Sequence, residues 1–207
     1  MNRKIGMAGS AICTLTVFLF AAFIIADFIL GGFFVCILLA LGFMCMIAAL
    51  DAECKDDTKA AGHTALIFSG VYATLIMIVY YTQCSTVVNE DLSSDISKVL
   101  DYSHMGLMFN LDMLGYGLMA LSTFFIGLTI NAKNKIDKAL KAMLMLHGLF
   151  FPGCLILPMT GLFLESNNSA PSFSGGDLAL VIWCAFFLPI GILSFIHFEK
   201  KTSFITS

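Results

Sequence analysis

The residue most able to do chemistry is Asp112. It lies inside residues 105–130 (MGLMFNLDMLGYGLMALSTFFIGLTI), a stretch with no Lys or Arg and no other acid. An apolar run of about 18 or more residues reads as a membrane-spanning helix. An acid at mid-membrane costs roughly 2.5–3.5 kcal/mol on insertion scales, so it is expected to face a bundle interior, a partner or a wet cavity. Tyr116 stands four residues on, one helical turn deeper on the same face. Asn110 precedes the acid by two residues. Tyr80 and Gln83 close the preceding apolar run, and Asp27 ends the first one. Brought together, Asp27, Tyr80, Gln83, Asn110, Asp112 and Tyr116 would form an outward-facing polar pocket. Such a set suits a small cation or amine, with the phenols adding cation–π attraction. Each has a plainer role too. Asp27 suits a solvated turn, Tyr80 and Tyr81 suit the aromatic belt at a membrane interface, and Gln83 suits a helix end.

His63, His147 and His197 fall at or near one end of their helices, and three histidines are enough ligands for zinc. No HxxxH or HExxH spacing joins them, so separate interface histidines are expected and no metal. The seven cysteines (Cys13, Cys36, Cys45, Cys54, Cys84, Cys154 and Cys184) make no CxxC, and most sit in apolar runs as small hydrophobes. There is no Walker loop and no GxSxG, so no cofactor is expected.

The elements that must position these residues follow from hydropathy. Of 207 residues, 59% are hydrophobic and 12% charged, with mean hydropathy +0.93. A soluble domain has about 45–50% apolar and about 25% charged residues, so the chain is expected to be polytopic, with the lipid bilayer as its surroundings. The polar stretches are too short for a second domain, leaving one membrane domain over residues 1–207. A net charge of −3 gives no footing for nucleic acid.

Six spans are expected, near 7–28, 33–50, 63–83, 105–130, 142–164 and 178–198: an all-α, six-transmembrane-helix bundle. Gly31-Gly32 is expected to break the first long apolar run, and Ala22-x-x-x-Ala26 to form a helix-packing seam. The basic start resembles a signal peptide, but no small-x-small site closes the run and a second span follows at once, so retention is expected. Within 84–104, Leu92, Ile96, Val99 and Leu100 keep helical spacing behind Ser93 and Ser94, which allows either a short helix over the bundle mouth or a surface loop. Residues 131–141 read as a basic connection. Pro152, Gly153 and Pro158 predict a kink in the fifth span, and Pro189 lies within the sixth. Asn167-Asn168-Ser169 in the 165–177 loop fits the glycosylation pattern, and 199–207 reads as a polar tail.

Six spans put both termini on one side. That side collects Arg3, Lys4, Lys55, Lys59, Lys133, Lys135, Lys138, Lys141, Lys200 and Lys201, and the other has only Lys98. The positive-inside rule then predicts both termini in the cytoplasm of a cell membrane.

Two stretches carry a resemblance. IVYYTQCSTVV at 78–88 and LDMLGYGLMALSTFF at 111–125 resemble a group of small, mostly bacterial integral membrane proteins with an aromatic-Tyr-x-Gln motif ending one span and acid-x-x-Gly-Tyr in the next. The resemblance covers the middle third of the chain and marks Tyr81, Gln83, Asp112, Gly115 and Tyr116, with Asp112 standing where the group has Glu. It implies a site without naming a substrate. Size, six spans and the Ala22/Ala26 spacing are also similar to the substrate-binding membrane subunits of energy-coupling-factor vitamin importers, a likeness of general features.

Three functions fit these readings. The leading expectation is a non-enzymatic membrane protein that binds a small molecule at Asp112 from outside, for transport or as a substrate-binding subunit, with Pro152, Pro158 and Pro189 marking helices that move. The second is an intramembrane enzyme using Asp112 or a histidine-bound metal. The third is an accessory or assembly subunit that binds a membrane-protein partner and no ligand.

Overall fold

The computed structural model describes residues 1–161 and 175–203, with side chains of the last segment over 178–200. Helix dominates, and no strand occurs among the described residues. The helices are α1 (Asn2–Ile25), α2 (Ile29–Asp51), α3 (Lys59–Thr82), α4 (Ser94–Leu100), α5 (Leu107–Thr129), α6 (Lys135–His147), α7 (Phe150–Met159) and α8 (Gly175–Ser203). With α6 and α7 counted as one span, six are long and apolar enough to cross a membrane. Large apolar side chains face outward, among them Phe18, Phe34 and Ile67 at 60%, 56% and 66% exposed, and a bilayer is the surrounding such a surface fits.

Packing follows a ring: α8 on α1, α1 on α2, α2 on α3, α3 on α5, and α5 on α6 and α7, with α6 returning to α8. Phe43, Tyr72, Ile76, Met119 and Phe187 fill its interior and are fully buried.

Several local boundaries differ from the sequence reading, each for a physical reason. The first turn falls at Ala26–Phe28, where Asp27 takes a left-handed backbone (φ 53°), so Gly31 and Gly32 lie inside the first turn of α2. Both are buried, Gly31 under the Phe28 ring and Gly32 against Phe20, and their role is close packing instead of breaking the helix. Ala26 is exposed beyond the end of α1, so the tight α1–α2 seam is not at Ala22/Ala26. It lies at Gly9 and Gly42: a Cβ on Gly9 would stand 2.6 Å from both the Gly42 carbonyl and the Met46 nitrogen. Backbone cannot rotate aside, so Gly9→Ala is expected to lower stability in detergent by about 1–3 kcal/mol. Gly70→Ala has nothing within 4 Å and should leave the melting temperature unchanged or slightly raised.

The basic connection is shorter than expected. Residues from Lys135 onward are helical, because Asn134 caps α6 by accepting the Asp137 N–H at 2.9 Å. The fifth span breaks at Gly148–Leu149, between α6 and α7. Proline clashes with the carbonyl four residues back, which for Pro152 is Gly148, so the break sits one turn before the proline. The 84–104 segment does form a short helix, α4, although Ile96 and Val99 remain 49% and 45% exposed. The helix α8 extends to Ser203, into the expected polar tail. The Asn167-Asn168-Ser169 pattern and residues 204–207 lie outside the described residues.

Candidate functional site

Asp112 lies in the second turn of α5, 3% exposed, facing the inside of the ring. Gly115, one turn on, lets α3 close in: a Cβ there would meet the Ile76 side chain at 3.2 Å. That approach sets the acid beside Tyr80 of α3. A second phenol comes from elsewhere. Tyr102 stands in a single 3-10 turn after α4, and its hydroxyl donates to Asp112 Oδ2 at 3.0 Å. Burial, and next the carboxyl itself, push the Tyr102 phenol well above its usual range, so it stays protonated and remains a donor. Tyr80 brings its phenol beside the same carboxyl, and Oδ1 is buried with no hydrogen-bond partner among the described residues.

Rings surround this carboxyl. Phe33 stacks on Tyr80 with centroids 5.4 Å apart, Tyr102 lies 5.6 Å from Phe33, and Phe109 meets Tyr102 edge-on at 5.6 Å. Deeper in, the Tyr116 hydroxyl reaches Cys36 Sγ at 3.6 Å, and the Tyr116 ring lies 5.7 Å from Tyr72 and 5.2 Å from Trp183. Four of the five tyrosines thus line one interior column, and only Tyr81 points outward, at 67% exposed.

Gln83 is 2% exposed at the start of a π-helical turn (Gln83–Val87) that extends α3. Its Nε2 donates to the Leu100 carbonyl at 2.8 Å, and its Oε1 accepts the Tyr102 N–H at 3.0 Å. Gln83 therefore holds the loop that carries Tyr102, and it positions the site instead of facing a ligand. Asp27 and Asn110 are both exposed and take no part in the cluster. The expected six thus divide: Asp112, Tyr80 and Tyr116 line the interior, Gln83 supports it, and Asp27 and Asn110 lie at the surface. Tyr102 and Cys36 belong to it and were not among the six. The cue for Tyr102 was an aromatic residue in an otherwise solvated loop, ten places before the acid.

The three histidines have separate partners. His63 Nδ1 lies 3.1 Å from Asp51. His147 is 1% exposed, and its Nε2 accepts from Trp183 Nε1 at 3.1 Å. Its Nδ1 lies 2.8 Å from Thr123 Oγ1, which gives its own proton to the Ala120 carbonyl at 2.8 Å. The bonds close only if the ring is neutral with its proton on Nδ1. A nitrogen-15 spectrum of histidine-labelled protein should show that tautomer for the signal lost in His147→Gln, and a protonated Nε2 would contradict the network.

His197 is placed differently, 5% exposed between two acids. Its Nδ1 lies 2.6 Å from Asp137 Oδ1 and its Nε2 lies 3.1 Å from Glu53 Oε2. The ring thus bridges the two acids, one at each nitrogen. Arg3 Nε lies 3.6 Å from Glu53 Oε1. This chain of two basic and two acidic side chains joins α1, the α2–α3 connection, α6 and α8 at the end where the chain begins. Beside it lies a cleft of about 400 Å³.

No family model, curated protein or solved structure matches this chain.

Proposed function

We propose that this is a multi-pass cell-membrane protein, both termini cytoplasmic, that binds a small cationic or amine-bearing molecule at Asp112 from the opposite side. The observation that carries this reading is the buried Asp112 carboxyl, which meets no cation among the described residues and whose Oδ1 has no hydrogen-bond partner among them, set beside tyrosine and phenylalanine rings. A buried carboxylate needs a charge partner, and beside it the described residues place only the neutral phenols of Tyr80 and Tyr102. An ammonium group would match the free oxygen and gain from the ring faces. The loop carrying Tyr102 would cover the ligand, and the break between α6 and α7 gives the bundle a joint for the movement that transport needs. The histidine-metal alternative gains no support, because His63, His147 and His197 each have their own partners.

The test is a thermal-shift panel of ethanolamine, ethylammonium and tetramethylammonium on purified full-length protein. At least one probe is expected to raise the melting temperature of the wild type and to do nothing for Asp112→Asn. A ligand at a hundredfold excess over its Kd stabilises by about 2.7 kcal/mol, a readable shift. Equal response of wild type and variant to every probe would remove Asp112 from the binding role and favour a ligand-free accessory subunit.

A further inference from the structure

The cleft at the basic end has a charge imbalance that the Asp112 reading does not use. Leu50, Thr129 and Ile130 form part of its wall, and Glu53, Asp137, His197, Lys55 and Lys133 line it as well. Its acids are already matched: Asp137 and Glu53 both receive His197, and Glu53 also meets Arg3. Its lysines are not. Lys55 and Lys133 are exposed and make no ion pair among the described residues, whereas Lys59 pairs with Asp56 at 2.6 Å and Lys98 with Asp95 at 3.3 Å. The surroundings reinforce this, since ten of the eleven Lys and Arg residues fall at this end by element order. A cleft of about 400 Å³ is within the size that holds a small ligand or a headgroup.

We propose that this cleft is a phosphoryl-binding site that takes the headgroup of an anionic phospholipid between Lys55 and Lys133. Its position suits that source. The cleft opens where helices end and polar connections begin, the depth at which phosphates of the adjoining leaflet lie. Basic pockets between membrane helices at this level bind anionic headgroups, and each lysine adds to that attraction. The Arg3–Glu53–His197–Asp137 chain engages both acids away from the lysines, Glu53 with Arg3 and His197 and Asp137 with His197. The site is separate from Asp112, so either can fail without the other.

The experiment uses full-length protein in a neutral detergent with phosphatidylglycerol, phosphatidylcholine, and inorganic phosphate as separate probes. Native mass spectrometry counts bound lipid, and thermal shift reads stabilisation. Phosphatidylglycerol is expected to bind and stabilise, and phosphatidylcholine to do neither. The Lys55→Ala/Lys133→Ala pair should weaken phosphatidylglycerol binding about tenfold or more. Lys135→Ala/Lys138→Ala, which removes two exposed lysines outside the cleft, should leave it near the wild-type value. Lys55→Arg/Lys133→Arg should retain it, which separates charge from folding. Stabilisation by inorganic phosphate that the alanine pair abolishes would keep the phosphoryl site and assign it to a soluble ester. Equal weakening by both alanine pairs would show a diffuse positive surface and overturn the site, as would unchanged binding in the cleft pair.

Discussion

Replacing Asp137 with alanine is expected to destabilise the bundle by about 3–5 kcal/mol, the cost of leaving one member of a buried ion pair alone. Asp137 does three things at once. It accepts from His197 Nδ1 at 2.6 Å, it accepts from Asn134 Nδ2 at 2.8 Å, and its N–H is the bond that caps α6. Alanine keeps only the last. The His197 ring, 5% exposed, would then hold a donor with no acceptor in the place where α6 meets α8. Asp137→Asn keeps an acceptor oxygen and should cost less. Glu53→Gln should also cost less, since Glu53 is the more exposed of the two acids, at 20% against 9%. The measurement is thermal or denaturant unfolding in detergent, with Lys138→Ala as the exposed neighbour. Asp137→Ala unfolding like Lys138→Ala would mean that the α6–α8 contact rests on apolar packing and that the ion chain adds nothing.

This cluster also shows where sequence reasoning loses sight of a membrane protein. Hydropathy places spans well because lipid demands a long apolar run whatever the tertiary structure. Six runs were legible for that reason, and α3 and α5 fell within a few residues of expectation. Charges at span ends carry no such signature. Glu53 and Asp137 sit among lysines in polar segments and look solvated. Only the folded ring brings residues 53, 137 and 197 within hydrogen-bond reach. The start of α6 was missed for a related reason: its lysine-rich first turns suggest a loop, and the cap at Asn134 decides otherwise. Gly31-Gly32 misled in the opposite sense, since glycine in a membrane helix often serves close packing.

The Asp112 region was half legible. An acid within an apolar run stands out, and the i+4 spacing put Tyr116 on its face. Asp27 and Asn110 were grouped with the acid, but a turn and helix rotation, which hydropathy does not set, display both at the surface. Tyr102 had only its aromatic character in a polar segment to mark it, because its contact depends on how an irregular segment folds back, and no periodicity describes that path.

That path depends on Gln83, and Gln83→Leu is expected to release it. Leucine has similar bulk but offers neither a donor for the Leu100 carbonyl nor an acceptor for the Tyr102 N–H. Leaving two part-buried main-chain groups unmatched costs about 1–3 kcal/mol each, so the loss is about 2–6 kcal/mol in total. The loss should be local, because the loop meets the ring mainly through α5 and the π-helical turn. Hydrogen exchange over 94–106 should therefore speed up by orders of magnitude while exchange within α1 and α2 stays slow. Gln83→Glu separates the two bonds: a carboxylate still accepts the Tyr102 N–H but repels the Leu100 carbonyl, so an intermediate effect is expected. The competing fastening is aromatic, with Tyr102 held against Phe33, Tyr80 and Phe109 at centroid distances of 5.6, 6.2 and 5.6 Å. Aromatic pairs contribute about 0.5–1.5 kcal/mol each beyond their burial, so the rings alone could match two hydrogen bonds. Unchanged exchange in Gln83→Leu, with release on Phe33→Ala, would give the rings that role. Tyr102 would then follow the packing around Asp112, and the covering loop would answer to whatever enters the aromatic box before it answers to its own backbone.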